Sequence, residues 1–380
     1  MPSKNPPVGP NPQQGNVEDP NAQPAGGRPT TTILPGPVAP GPTTTIIPPV
    51  GGVSSVVLPS SSSAGTGGDT APPVTNLTGV GAPPTGNYKA PHWVMYTDLS
   101  SLPKDSKIFP SAAQLKGVNR FILCFWVTEN GGAFDNLLVW KEYPREKRRK
   151  ILDEYHAAGI ALMMAYGGDT EAPVTRVTDP VKTATDIAAY VKEYELDGVD
   201  VNYEELRAFS LGTAEAWVIS FHKTLRSLLP RSYLISHAPV APWFTTSPSW
   251  PGGGYLTVDK AVGEGIDWYN IQFYNQQDKN RYDTCDSLFN AATDWGAGSA
   301  VFEIHTKGGI SLDKLVVGKP MSAKYQISSG LMDFATLGSC VKAAKAKQWT
   351  GGVMLWQMDP ADLPAITTTF TAIRGDSWPV

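Results

Sequence analysis

From His92 onward the chain alternates short apolar runs with amphipathic stretches, and it does so eight times. The candidate strands are Trp93–Tyr96, Arg120–Val127, Ile160–Tyr166, Gly198–Asn202, Tyr233–His237, Ile266–Phe273, Lys314–Ser322 and Gly352–Trp356. Apolar runs of this length, separated by helical patterns, are what βα units in a shared parallel sheet require. Eight of them predict an α/β fold, a single closed (β/α)8 TIM barrel, and the span 89–380 has the length such a barrel needs. Two helices carry boundary signals. One opens at Gly212 to Trp217 with Thr213 as cap and stops at Pro230; another covers Leu331–Lys347, with Leu337, Val341 and Ala344 on its apolar side.

The segment before the barrel has a different composition. Twenty of the 34 prolines precede His92, and residues 1–87 contain no Phe, Trp or Tyr. Such a chain cannot bury enough apolar surface to offset the entropy of ordering it, so residues 1–88 are expected to form a disordered Pro/Thr/Ser/Gly-rich linker or stalk. Pro29 to Ile33 recurs as Pro42 to Ile46, a serine run spans Ser60 to Ser63, and Asn76-Leu77-Thr78 is an N-glycosylation sequon. Two readings stand side by side, a glycosylated spacer of an extracellular or cell-wall protein and an unmodified tail. The first residues lack the charged-then-apolar pattern of a secretory signal.

The net charge of −4 offers no basic field for nucleic acid. The basic run from Lys141 to Lys150 is expected to be the solvated start of a helix. Of the three cysteines, Cys124 falls inside an apolar strand and reads as a packed thiol; Cys285 and Cys340 are open to either a disulfide or two free thiols. Five scattered histidines have no metal-ligand spacing, no apolar run reaches the length of a membrane span, and no cofactor is expected. The expected state is a monomer.

The chemistry-bearing stretch is Leu196 to Glu205. Asp200, Asn202 and Glu204 recur at every second position, so an extended strand points all three the same way. Leu196, Val199 and Val201 around them are apolar, and a carboxylate at the end of a buried strand is costly unless it is hydrogen-bonded or has a task. The bland alternative is an acidic cluster capping the next helix. In a barrel, reactive groups come from the C-terminal ends of strands, where Glu204 falls.

The string Asp197-x-x-Asp200-x-Asn202-x-Glu204 resembles the D-x-x-D-x-D-x-E signature of family 18 glycoside hydrolases, the chitinases and their relatives, with Asn202 in place of the middle aspartate. Ile266 to Asn275 resembles the sixth strand of the class III-type members, with its Gln272-Phe273-Tyr274-Asn275 ending. Gly351 to Trp356 resembles the eighth strand, Leu315 to Pro320 the seventh and Leu234 to Pro239 the fifth. The resemblance implies hydrolysis of β-1,4-linked N-acetylglucosamine polymers with retention, the substrate's own acetamido oxygen serving as nucleophile. It implies Glu204 as general acid and then base, Tyr274 as partner of the acetamido carbonyl, Asp200 as a supporting acid and Asp197 as a residue fixing the strand's start. Gln272, Asn275, Trp356 and Tyr96 form the expected substrate-binding set, with Trp356 under the sugar ring. Trp243, Phe244, Trp250 and Tyr255, in the loop after the fifth strand, read either as further sugar platforms or as loop packing.

Asn202 keeps an acceptor oxygen and brings no charge, so substrate orientation is expected to survive while stabilisation of a cationic intermediate falls. Losing that carboxylate also removes a like charge, which lowers the expected pKa of Glu204 relative to the family pattern. The family's third-strand serine is Ala165 here, in Ala165-Tyr166-Gly167-Gly168. The competing functions are a non-catalytic chitin-binding or inhibitor barrel, an endo-β-N-acetylglucosaminidase acting on N-glycans, and a cell-wall component spaced from a surface by its stalk.

Overall fold

A computed structural model of the chain describes residues 88–98, 109–129, 132–276, 281–358 and 363–378. The Pro/Thr/Ser-rich segment up to residue 87, with the sequon at Asn76, lies outside them. Eight parallel strands form the barrel: β1 (His92–Thr97), β2 (Arg120–Val127), β4 (Ala161–Gly168), β5 (Gly198–Tyr203), β6 (Leu234–His237), β7 (Trp268–Gln272), β8 (Leu315–Pro320) and β9 (Gly352–Trp356). Each pairs with the next in chain order, and β1 closes the ring against both β9 and β2, with Val94 opposite Arg120 and Met354. A two-residue strand, β3 (Gly132–Ala133), folds back antiparallel onto the end of β2.

Every expected strand is present: Arg120–Val127 and Gly352–Trp356 fall where expected, and the other six have ends shifted by one or two residues. The shifts have local causes. Asp267, expected inside the sixth strand, instead precedes β7, where its carboxylate accepts from Arg226 and from the Ile235 backbone amide. Lys314 sits just before β8, its ammonium bonded to the carbonyls of Gly263 and Ile266.

The period-two alternation of the strands divides the core into two shells. Phe121 and Leu123 of β2, Leu162 and Met164 of β4, and Val199 and Val201 of β5 face outward to the helices. Ile122, Cys124, Ala161, Met163 and Ala165 face the barrel interior, together with Val94, Tyr96, Trp268, Val316 and Met354. Since Val199 and Val201 point out, Asp200 and Asn202 must point in.

The helices cover the sheet by their apolar stripes. Helix α3 (Pro180–Glu193) begins where Asp179 accepts from the amides of Val181 and Lys182, and it packs beside α5 (Ala214–Leu228). Thr213 does not cap α5: its hydroxyl donates backward to the Ala208 carbonyl. Helix α8 (Phe334–Ala346) starts three residues after the expected Leu331 because Asp333 caps it through the Thr336 amide. The basic run Lys141 to Lys150 spans two helices, α1 (Asp135–Glu142) and α2 (Arg145–Ala157), that break at Pro144. It is not wholly solvated, since Arg148 is buried and donates to the Tyr143 carbonyl. Among the described residues no helix is long and apolar enough to cross a membrane.

Cys285, in the connection after β7, forms a disulfide with Cys340 of α8, and Cys124 is a buried free thiol. Closing a loop of 55 residues removes denatured-state entropy equivalent to about 4 kcal/mol in the chain-entropy treatment. The double substitution Cys285→Ser/Cys340→Ser is therefore expected to lower the melting temperature on the order of 10 °C. A calorimetric scan with no shift would show that the bridge does not constrain the unfolded chain.

Candidate active site

The site is built on the inward face of β5. Asp200 is fully buried, and its carboxylate accepts from three strands: from the Tyr96 hydroxyl (2.6 Å) on β1, the Ser236 hydroxyl (2.6 Å) on β6 and the Asn270 amide (2.9 Å) on β7. Burial pushes its pKa up, and the three hydrogen bonds pull it back. Ser236 and Asn270 were not picked out from the sequence as site residues. The available signal was their inward register: Ser236 lies opposite Asp200 in the β5–β6 pairing, and both are polar on fully buried strands. Ala165, the partner of Asp200 on β4, offers no hydroxyl, and Ser236 on the other side of β5 supplies one.

Asp197, just before β5, accepts from the Leu162 amide (2.7 Å) and from His156 (2.9 Å), which fixes the strand's start against β4. Two residues beyond Asp200, the buried Asn202 accepts through its side-chain oxygen from the Gln272 amide (3.1 Å). The same Gln272 nitrogen lies 3.1 Å from the Glu204 carboxylate and 3.0 Å from the Ala238 carbonyl. One amide on β7 therefore links the side chains at 202 and 204. Gly167 makes this possible by its conformation, φ +105°, and its lack of a side chain: a Cβ there would lie 2.3 Å from the Asn202 carbonyl oxygen.

Glu204 opens onto a cavity of about 410 Å³. Although partly open to that cavity, its carboxyl is embedded deeply enough that burial pushes its pKa up to about 7. The carboxylates of Asp169 and Asp200 add to the rise, while the amides of Gln272 and Asn202 counteract it. With an amide at 202, Glu204 still sits well above the ordinary carboxylate range, because desolvation is the largest cause. A carboxyl with a pKa near neutrality can give up and take back a proton at working pH.

Trp356 forms part of the cavity wall, half-buried, with its ring 5.6 Å from Tyr96 and 6.0 Å from Phe125. Tyr274 lines the cavity too, and burial together with the nearby Glu204 and Asp200 carboxylates holds its phenol protonated. Asn275, at φ +57°, borders the cavity, but its side-chain oxygen accepts from the backbone amides of Ile327 and Ser328. Tyr96 lines the cavity with a hydroxyl already committed to Asp200, so it positions that acid instead of offering a free group. Trp243 is a correction. It is fully buried, with its ring parallel to Tyr255 and against Phe209, and presents no face to a ligand. Phe244, Trp250 and Tyr255 are buried as well, so the loop-packing alternative holds for the set.

The sequence reasoning missed Phe134, exposed at the cavity, and the basic Lys324, as well as three acids around the rim: Asp98, Asp135 and Asp169. Burial and the neighbouring Asp98 push the Asp135 carboxyl up to about 6. Asp98, Asp169 and Lys324 come from connections with no periodic pattern, Phe134 and Asp135 from the start of α1, and only the folded barrel brings them together.

Fold and cavity together define a (β/α)8 barrel with a carboxyl at the C-terminal end of its fourth barrel strand. No family model matches the chain, and no curated protein matches it in sequence. Solved structures do. A GH18 chitinase from Pseudoalteromonas aurantia superposes with a TM-score of 0.58 at 23% identity, covering 73% of this chain and 100% of that one. A GH18 chitinase from Chromobacterium violaceum gives 0.56 at 16% identity, covering 79% and 91%. A fungal endo-beta-N-acetylglucosaminidase from glycosyl hydrolase family 18 gives 0.55 at 16% identity, covering 75% and 99%. At these identities what is shared is the fold.

Two outcomes follow from the geometry. Ser236→Ala leaves a buried carboxylate short of one donor and is expected to destabilise the protein by about 1–3 kcal/mol in denaturant unfolding; an unchanged midpoint would show that Asp200 does not depend on that bond. In Asn202→Asp a second negative charge beside Glu204 raises its pKa further, so the Glu204 carbon resonance should titrate at higher pH than in the parent. A downward shift would contradict a like-charge interaction between the two side chains.

Proposed function

We propose that the barrel is a glycoside hydrolase that cleaves β-1,4-linked N-acetylglucosamine polymers, chitin or chitooligosaccharides, with retention and with the substrate's acetamido group as nucleophile. The observation that carries this reading is Glu204: a carboxyl with its pKa raised to about 7 at the floor of a 410 Å³ cavity, joined to Asn202 through Gln272.

The assignment of roles follows from protonation states. Below about pH 7 Glu204 carries the proton that a leaving glycosidic oxygen needs, and once that proton is given, the carboxylate is the base for an incoming water. A retaining enzyme that forms a covalent intermediate needs a second carboxylate about 5 Å from the first and free to attack. Asp200 is fully buried and bonded to three donors, so it is not free to do so. An internal nucleophile on the substrate meets that requirement. The protonated Tyr274 can donate to the acetamido carbonyl, and Trp356 offers an apolar face to the sugar.

Asn202 is the residue that weakens the chemistry. Its side-chain oxygen is shared with Gln272, and it carries no charge to stabilise a cationic intermediate, so slow turnover is expected. This same feature favours the second reading, a barrel that binds N-acetylglucosamine polymers without cleaving them. The similar solved proteins include chitinases and an endo-beta-N-acetylglucosaminidase, which supports the class of sugar and leaves the choice between chitin and N-glycans to the loops.

The full chain, incubated with chitin oligosaccharides and followed by mass spectrometry, is expected to release shorter products. Glu204→Gln should reduce the rate by about 100-fold or more. kcat/KM should fall as pH rises through about 7, because the acid form of Glu204 is lost there. Binding of the oligosaccharides with no cleavage by either protein would establish the binding barrel instead.

A further inference from the structure

The connections that follow β6 and β7 meet at a second cavity, of about 340 Å³, that shares no lining residue with the cavity at Glu204. Its walls combine an indole, Trp295, with the hydroxyl-bearing Thr246, Ser247 and Ser249 and with one charge of each sign, Asp294 and Lys307. Trp295 is 50% exposed, yet it is not a loose surface residue. Its ring stands perpendicular to that of Trp250 at 5.4 Å, and the buried Trp250 stands nearly perpendicular to the fully buried Trp243 at 6.4 Å. The indole of Trp250 is itself fixed by a hydrogen bond to the Pro242 carbonyl (2.9 Å). The exposed ring is therefore the outermost member of an aromatic stack anchored in the core, held in place before any ligand arrives.

The chemistry of the lining narrows the ligand. The Lys307 ammonium is 3.3 Å from Glu303, so the cavity carries no uncompensated positive charge with which to select an anion. An apolar platform ringed by hydroxyls suits a neutral molecule with an apolar face and a polar edge, which is the shape of a pyranose. A volume near 340 Å³ lies at the low end of pockets that enclose small ligands, enough for a short stretch of a polysaccharide but not for a protein segment.

We infer that this cavity is a non-catalytic saccharide-binding site, in which Trp295 stacks on a sugar ring while the hydroxyls of Thr246, Ser247 and Ser249 bond its edge. It holds polymeric substrate on the barrel while cleavage takes place at Glu204. Both cavities draw residues from connections that leave the C-terminal ends of strands. The class of sugar rests on the proposed function; the existence of the site rests on the second cavity itself.

The test is affinity electrophoresis of the full chain through gels containing soluble glycol chitin, done in the Glu204→Gln background so that the polymer stays intact. Trp295→Ala is expected to weaken retardation by about three- to ten-fold, and Trp295→Tyr, which keeps an aromatic face, to restore most of it. Cleavage of a short soluble oligosaccharide by the Trp295→Ala single variant, with Glu204 intact, is the reference rate and should stay within about two-fold of the parent. Equal retardation with and without the indole overturns the inference. So does a parent that is not retarded at all, or a Trp295→Ala variant whose short-oligosaccharide cleavage falls in step with its binding, since the residue would then belong to the cleavage site. If no form cleaves any oligosaccharide but retardation still depends on Trp295, the hydrolase reading fails and the second site stands.

Discussion

The buried carboxylate of Asp200 is the constraint around which the barrel interior is arranged. An ionised carboxylate away from water is tolerated only when its oxygens are bonded, and here the donors come from β1, β6 and β7, three strands other than its own. Because side chains alternate along β5, fixing Asp200 inward also fixes Asn202 inward and brings Glu204 to the strand's mouth. The mouth of the strand thus inherits its geometry from a carboxylate that lies wholly inside the barrel. A one-residue slip of β5 would turn Val199 and Val201 into the interior and strand the acid among the helices.

Around this anchor the amide of Gln272 does the finer work. It bonds both Asn202 and Glu204, and so ties the acid's orientation to a neutral neighbour. A carboxylate at 202 would bind the same amide more strongly and repel Glu204; the asparagine gives positional control with little electrostatic leverage. Glu204 keeps a pKa near 7 regardless, because burial is the dominant cause. In the proposed hydrolase, acid–base function and the stabilisation of positive charge are separable properties, and a neutral residue at 202 bears chiefly on the second.

Much of the architecture is legible in the amino-acid pattern alone. All eight strands and the inward row at 200 and 202 follow from periodicity, since a barrel strand must present one apolar face to the helices. Ser236 and Asn270 escaped notice because a single inward polar residue carries no spacing signal; it becomes meaningful only when the closed ring brings it to Asp200. The aromatic cluster of Trp243, Trp250 and Tyr255 was readable as platform or packing, and burial decides for packing, since the loop after β6 folds over its own rings. Thr213 had the right chemistry for a cap but is turned back toward the preceding helical turn. The pairing of Cys285 with Cys340 needed three dimensions, because no spacing rule joins cysteines on separate βα units.

The connection that leaves β7 has an unusual concentration of duties. Within one stretch of chain it carries Tyr274 and Asn275 at the first cavity, Tyr282, whose carbonyl holds the buried Lys319 ammonium, Cys285 of the disulfide, and Trp295 at the second cavity. All of them sit on one connection between β7 and the next α-helix, tethered at its middle by sulfur. Its fixed points all lie on other units, Cys340 on α8, Lys319 on β8 and Trp250 in the connection after β6, so the segment cannot be moved to another barrel without carrying those partners along.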